Sequence, residues 1–585
     1  MTTGLMTEQL ATRLKNWLSE QPPLESIANR GQRWFGKSRF YFQKAYYQNL
    51  IRQQPDRIQY YDKLGKLFRR CGDFDRAIQT YKQALTVDPQ SVAAYNALGD
   101  LFRDRLEYDE AIAAYRQGLD RSPNAAWLHQ KVADVLAAQQ RWQEAAESYQ
   151  TAIAISPKFA QWHHKLGDIL QELKCTDEAI AAYENAARRD PNFAATYRSL
   201  ADLFTQLERW DEAIESYQTA IELDPQAFWS YHNLAALLVR QERKPEAAQI
   251  YLKTIAIDPN FDWWYHATFW PTLVKQKQLD RAVELFDREI QKNPDCIEAY
   301  INLGDGLTRQ KNLDRAISCF QVASDRQMQQ THPDLVALKQ DNKLIDAPNF
   351  IILGASKSGT TSLYSYMVEH PQILPAIRKE LNYWSGRYKS RVDWYLSQFF
   401  AIPKGQPYIT GEASPSYIYD VPRAADRMYS VFPNMKLIVL LRNPVDRAIS
   451  HYYHWVRRGI EHRSIEEATI GEIEALESGR ITEDLLSYYI AHGRYSHYLI
   501  PWLERFGTDK ILILETEKFY QYPDKTLTKV YNFLNLSESH LPEYRKYNSG
   551  SYSPIDPKVR QRIAEFYRPS KQRLEAYLGV NFDWD

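Results

Sequence analysis

The stretch Phe350-Ile-Ile-Leu-Gly-Ala-Ser-Lys-Ser-Gly-Thr-Thr-Ser-Leu363 reads as a buried strand, a tight turn of small residues and the start of an amphipathic helix that continues through LYSYMVEHP. A strand delivered into a helix through such a turn makes an anion cradle. Gly354 and Gly359 let the backbone approach closely, and the N–H groups of Ser358, Gly359, Thr360 and Thr361 lack acceptors at the helix start. Ser356 lies beside them, and Lys357 adds a positive charge. The nucleoside-triphosphate loop G-x-x-x-x-G-K-[ST] places its lysine after the second glycine, whereas Lys357 precedes Gly359, which disfavours Mg-ATP.

Toward the C-terminus, short apolar runs (FIILGA, KLIVLLR, KILILET) alternate with amphipathic stretches from Asn349 onward, the pattern of an α/β domain with a central parallel sheet. In LIVLLRNPVDRAISHYYH, residues 437–454, a strand ends in Arg442 and the following helix presents Ser450 eight residues on. A planar multi-donor cation with a neutral hydroxyl suits a phosphate. His451 and His454 share this helix, but no carboxylate motif of a zinc site accompanies them, so a packed or solvated face is expected and no metal site.

Toward the N-terminus the chain repeats itself. Prolines stand at 55, 89, 123, 157, 191, 225 and 259, each 34 residues after the last, and then at 294. Ten residues after most of them comes a small residue (Gly65, Gly99, Ala133, Gly167, Ala201, Ala235, Gly304), with Phe269 as the exception. An alanine and, four residues later, an aromatic follow in every unit, from Ala77 and Tyr81 to Ala316 and Phe320. This is the signature of antiparallel helix pairs that cross closely at the small residues, with the aromatic expected to fill the space between neighbouring units.

The repeats resemble tetratricopeptide repeats. That resemblance implies a multidomain chain: an N-terminal helical cap or degenerate repeat at 1–54, an all-α solenoid of eight repeats at 55–327, a linker at 328–346 and the α/β domain at 347–585. The solenoid's groove is expected to hold a protein partner. Trp229, Trp263, Trp264 and Trp270 are expected to pack between helices rather than to line a binding surface.

Composition bounds what remains. The 585 residues carry 73 basic and 73 acidic side chains, which argues against a strongly basic nucleic-acid binder. Four scattered cysteines make a disulfide framework or zinc cluster unlikely and fit a reducing compartment. The first residues lack the apolar run of a secretory signal and no stretch matches a membrane span, so a soluble, cytoplasmic protein is expected.

The second half then invites a second resemblance. GASKSGTTSL, followed by HPQI, RKELNYW and the 437–454 motif, is similar to sulfotransferases that use 3′-phosphoadenosine 5′-phosphosulfate, above all the heparan-sulfate type. WYLSQFF (394–400), GEASPSY (411–417), GRYSHYLIPWLERF (493–506) and ILILETEKF (511–519) extend it. The resemblance implies a P-loop-like fold without a required metal. Ser356, Lys357, Ser358, Gly359, Thr360 and Thr361 would hold the 5′-phosphosulfate, and Arg442 with Ser450 the 3′-phosphate.

It also implies a general base, because the acceptor loses a proton as it attacks sulfur. Glu380, in Lys379-Glu-Leu-Asn-Tyr-Trp384, occupies the family's position for it; Glu412 is the rival, as base, as support for Lys357 or as a structural partner. The chain departs from the pattern at Ala413, where relatives often carry lysine, and at Ser549-Gly550-Ser551, where a lysine-glycine-arginine phosphate loop is usual and where Ser549, Gly550 and Ser551 would still offer the nucleotide backbone and hydroxyl donors. The implied acceptor is a carbohydrate hydroxyl or amine, with a protein tyrosine and an inactive nucleotide-binding scaffold left open. The repeat array would recruit the acceptor or a protein carrying it.

Overall fold

The computed structural model describes residues 30–263, 266–339, 344–345, 348–387, 391–457, 461–480, 489–541, 543–544 and 555–584, with side chains from Phe40 onward. The chain divides into two compact units, Met1–Pro225 and Gln226–Asp585.

In the first unit a long helix, Arg30–Gln53, precedes helix pairs of 13 and 14 residues, such as Val92–Asp104 with Tyr108–Arg121 and Ala160–Glu172 with Thr176–Arg189. Each pair turns through one residue with left-handed backbone, at Gly72, Leu106, Gln140, Lys174 and Glu208, so the helix-ending conformation recurs with the period of the sequence. The small residues make the crossing possible: a Cβ on Gly65, Gly99 or Gly167 would lie 2.5, 2.3 or 2.6 Å from the ring of Tyr81, Tyr115 or Tyr183. Each aromatic thus sits over the small residue of its own helix pair, where the periodicity alone suggested a gap between units. In the second to fifth repeats its hydroxyl donates to the aspartate that follows the small residue, Tyr115 to Asp100 at 2.7 Å, Tyr149 to Asp134, Tyr183 to Asp168 at 2.9 Å and Tyr217 to Asp202 at 2.5 Å.

The second unit begins with further repeat helices, Phe228–Arg240, Lys244–Ile257, Phe269–Lys275 and Leu279–Lys292, then α1 (Ile297–Arg309) and α2 (Leu313–Thr331). The seventh repeat's first helix is only seven residues long. Pro271 lacks an amide hydrogen and is tolerated only in a first turn, so the helix starts just before it. Trp263 stacks on Phe269 at 3.9 Å, filling with aromatic surface what a small residue leaves open elsewhere. Trp263 and Trp270 are buried as expected, Trp229 is half exposed, and Trp264 lies outside the described residues. Residues 328–346 open with the end of α2 and a short helix, Pro333–Leu338.

The rest of the unit is built on five parallel strands: β1 (Phe350–Gly354), β2 (Ile373–Pro375), β3 (Ile409–Ala413), β4 (Lys436–Leu441) and β5 (Ile511–Glu515), in the order β2-β3-β1-β4-β5. Its main helices are α3 (Thr360–Met367), α4 (Pro444–Arg457), α5 (Ile465–Glu477), α6 (Tyr495–Phe506) and α7 (Pro557–Leu578). Alternation along β1 and β4 sends Phe350, Ile352, Ile438 and Leu440 into a core with Leu363 and Met367 of α3, and Ile351, Leu353, Leu437 and Val439 into the opposite one. That second core runs continuously through Trp384 and Trp394 to Phe320, Phe286 and Trp270 of the repeats. The last repeats and the α/β fold therefore share one hydrophobic interior. No described helix is long and apolar enough to cross a membrane.

Candidate functional site

Strands β3, β1 and β4 are neighbours, with Ile352 opposite both Ala413 and Ile438, so their C-terminal ends open onto one edge of the sheet. Ligands of open parallel sheets bind at that edge. Glu412 ends β3, the loop 355–359 follows β1, and Arg442 follows β4.

The loop is held from several sides. Ala355 N–H donates to Leu440 O at 2.8 Å, Ser356 N–H to the Tyr419 hydroxyl at 3.0 Å and Ser358 N–H to Ala355 O at 3.2 Å; Thr516 Oγ1 donates to Ser358 O at 2.7 Å. The first helical bond of α3 is Leu363 N–H to Gly359 O, so the N–H groups from Gly359 onward open the helix. The amide nest is narrower than the sequence suggested, since Ser358 N–H is spent inside the loop. Lys357 (φ 68°) and Gly359 (φ 88°) both have left-handed backbone, a costly state for a lysine that the surrounding bonds sustain. A Cβ on Gly359 would lie 2.7 Å from the Tyr520 hydroxyl. Ser356, Lys357, Gly359 and Thr361 are partly exposed, while Ser358 and Thr360 are buried.

Arg442 reaches the same loop and donates from Nη1 to Lys357 O at 3.2 Å, while its own carbonyl accepts the Tyr495 hydroxyl at 2.9 Å. Ser450 is buried on α4. The next residue, His451, is buried too, its Nε2 accepting Trp455 Nε1–H at 3.0 Å, so this face of α4 is packed rather than metal-binding. Burial, then the charges of Arg447, His492 and Lys357, hold His451 well below its ordinary range. His492 stacks on Tyr419 at 3.8 Å and is pushed down to about 3 by burial and by Arg447. Arg447 itself is fully buried. Three cationic residues, Lys357, Arg442 and Arg447, with neutral histidines between them, give the edge near Lys357 a positive field, the electrostatics of an anion site.

The two carboxylates occupy different environments. Glu412 is fully buried and accepts four hydrogen bonds, from Leu381 N–H at 3.2 Å, Ser414 Oγ at 2.6 Å, Tyr395 Oη at 3.1 Å and Tyr417 Oη at 2.8 Å. Burial pushes its carboxyl up, and the four donors oppose that. Glu380 has a one-third exposed side chain, paired with Lys379, and a left-handed backbone (φ 67°). Its N–H donates to Ala413 O at 3.1 Å, which ties it to the end of β3 beside Glu412. The acid that faces solvent is thus Glu380, while Glu412 grips the segment that carries it. Ser549, Gly550 and Ser551 lie outside the described residues. Among the described residues no group of three or more His, Cys, Asp or Glu side chains gathers as a metal site.

Sequence reasoning did not reach Tyr419, Tyr495, His492, Arg447 or Thr516. Arg447 was findable as a second arginine between Arg442 and Ser450, but the others come from distant segments and carry no local signal.

Against known proteins, a sulfotransferase domain model matches residues 347–552, and tetratricopeptide-repeat models match 63–126, 133–174, 160–193, 201–242, 228–257 and 271–330. A membrane-associated sulfotransferase kil1 of Dictyostelium discoideum is 26% identical over 321 residues, 42% of this chain and 68% of that protein. Heparan sulfate glucosamine 3-O-sulfotransferase 3A1 of Mus musculus is 28% identical over 280 residues, 44% of this chain and 69% of that protein. The crystal structure of a sulfotransferase from Alicyclobacillus acidocaldarius is 30% identical and aligns with 41% of this chain and 98% of its own, with a TM-score of 0.35.

Proposed function

We propose, on the premise that this chain belongs to the sulfotransferase family and joins that domain to a tetratricopeptide array, that it moves a sulfonate from 3′-phosphoadenosine 5′-phosphosulfate to a carbohydrate hydroxyl or amine. One observation carries the reading: the Lys357 loop, Arg442 and the segment of Glu380 converge on the ends of three adjacent strands. The relative named as a heparan sulfate glucosamine 3-O-sulfotransferase supports a carbohydrate acceptor.

In this reading the amides at the start of α3 and Lys357 hold the 5′-phosphosulfate, and Arg442 with Ser450 holds the 3′-phosphate. Glu380 takes the acceptor's proton as its oxygen or nitrogen bonds to sulfur. The bond from sulfur to the bridging oxygen breaks, and Lys357 stabilises the charge left on the 5′-phosphate of 3′-phosphoadenosine 5′-phosphate. Glu412, without exposed surface, positions the Glu380 segment rather than touching the acceptor. The repeat array recruits the acceptor or the protein that bears it.

The test is transfer of radiolabelled sulfonate to a panel of glycans and tyrosine peptides. Lys357→Ala lowers transfer by about 10²–10³-fold and Glu380→Gln by about 10²-fold or more. Transfer to peptides alone would move the acceptor to protein tyrosine. Tight binding of 3′-phosphoadenosine 5′-phosphate with no transfer to any acceptor would leave a nucleotide-binding scaffold. Thermal stabilisation by Mg-ATP in preference to that nucleotide would overturn the donor assignment.

A further inference from the structure

The eighth repeat breaks the chemistry of the regular ones at one point. Where the second to fifth repeats place a tyrosine over the small residue, this one places Phe320, still packed so closely that a Cβ on Gly304 would lie 2.5 Å from its ring. The aspartate that follows the small residue in those repeats recurs here as Asp305, while the ring over the small residue carries no hydroxyl. Asp305 is fully buried, and its Oδ2 accepts Nη1–H of Arg378 at 2.8 Å; Arg309 Nη1 stands 3.9 Å from Oδ1. Arg378 is itself buried and lies two residues before Glu380. A second contact runs in parallel: Trp394 Nε1–H donates to Thr308 Oγ1 at 2.7 Å, and Trp394 stacks on Tyr383, three residues after Glu380, at 6.0 Å.

We propose that Asp305 is a positioning residue of the transfer site, which fixes the segment 376–386 through Arg378 and so sets where Glu380 stands. The eighth repeat then helps to shape the transfer site. Side chains hold the segment on both sides of Glu380, the Asp305 carboxylate at Arg378 before it and the Glu412 carboxylate at Leu381 after it, while the Glu380 N–H itself is bonded to Ala413 O. Removing one partner of a buried ion pair leaves the other charge uncompensated. Without Asp305, Arg378 loses its buried carboxylate and repacks, which loosens the hold on the residue two positions on. The catalytic part of this inference rests on Glu380 as the base; the anchoring part does not.

The experiment uses the full chain with Asp305→Asn, Glu380→Gln and the pair together, and Asp168→Asn as the matching change in a regular repeat. Asp305→Asn lowers kcat by about 10-fold or more, leaves the affinity for 3′-phosphoadenosine 5′-phosphate unchanged by calorimetry, and adds no further loss on top of Glu380→Gln. Asp168→Asn leaves kcat unchanged. Hydrogen exchange in Asp305→Asn quickens in peptides covering 376–386 and not in those covering β1 and α3.

A loss of kcat that persists undiminished in the Glu380→Gln background, or that Asp168→Asn reproduces, overturns the positioning role. If Glu380→Gln transfers as fast as the parent, the base assignment has failed, and exchange alone decides: unchanged protection of 376–386 in Asp305→Asn sinks the anchor, and local quickening sustains it.

Discussion

In the unit Met1–Pro225 a stabilising contact occurs again about 34 residues later; around Lys357 each contact occurs once. The tyrosine-to-aspartate bond is made by Tyr115, Tyr183 and Tyr217 alike, so losing one leaves its neighbours intact. The loop 355–359 is held by Tyr419, by Thr516, and by Leu440 and Arg442 at the end of β4, three separate segments with no contact duplicated. Redundancy makes the repeats tolerant, and singularity makes the site exacting.

The largest effect expected from this contrast is at Arg442. Arg442→Ala removes a guanidinium with no understudy, and affinity for 3′-phosphoadenosine 5′-phosphate falls by about 10–100-fold, the worth of charge-assisted hydrogen bonds. Adenosine 5′-phosphate, lacking the 3′-phosphate, loses far less. Equal losses for the two nucleotides in calorimetry would show that Arg442 serves the loop rather than the phosphate.

Next comes a matched pair of glycine substitutions. Gly99→Ala forces a methyl to 2.3 Å from the Tyr115 ring, and Gly359→Ala forces one to 2.7 Å from the Tyr520 hydroxyl at φ 88°. Each destabilises by about 1–3 kcal/mol through overpacking or strain. Only Gly359→Ala removes nucleotide binding, because only there does the displaced backbone form the cradle. Nucleotide affinity surviving in Gly359→Ala would mean that the loop is not the anion site.

The contrast also explains what could be read from residue order. The repeats were legible because Gly99 and Tyr115, or Gly167 and Tyr183, state one steric relation many times. The loop was legible because strand, turn and helix are contiguous. Tyr419, Tyr495 and Thr516 were not, since 63 residues separate Ser356 from Tyr419 and 158 separate Ser358 from Thr516. The choice between Glu380 and Glu412 stayed open for the same reason: burial differs completely between them, and burial is set by Tyr395, Ser414 and Tyr417 closing over Glu412. Asp305 gave no sign of its role in residue order, because its partner Arg378 lies 73 residues on.

A pH effect separates the regions further. His492 titrates near 6.5 when unfolded and near 3 in the fold, where burial and Arg447 disfavour its charge. Above pH 6.5 both states are neutral and its contribution is complete. As pH falls below 6.5 the unfolded chain takes up a proton that the fold refuses, and stability is lost progressively toward pH 3, by about 2 kcal/mol at pH 5. His492→Phe, which keeps a ring against Tyr419, flattens that part of the thermal-midpoint profile. An unaltered acid limb would place the sensitivity elsewhere.

The smallest effect tests redundancy directly. Tyr183→Phe gives a regular repeat the chemistry of the eighth: the ring stays over Gly167 and only the bond to Asp168 is lost. Asp168 keeps Lys165 at 3.0 Å and has a side chain about one-third exposed, so water and lysine satisfy it, and the cost is about 1 kcal/mol in thermal unfolding with transfer unaffected. Asp305 has no exposure to water and is met by Arg378 at 2.8 Å and, farther off, by Arg309 at 3.9 Å. The reverse change, Phe320→Tyr, places a hydroxyl where the regular repeats present one to this aspartate. It competes with Arg378 for Asp305 and lowers transfer while changing the thermal midpoint little. A Phe320→Tyr protein with parental kcat would show that the aspartate serves both partners at once, and that the eighth repeat differs from the others in composition but not in duty.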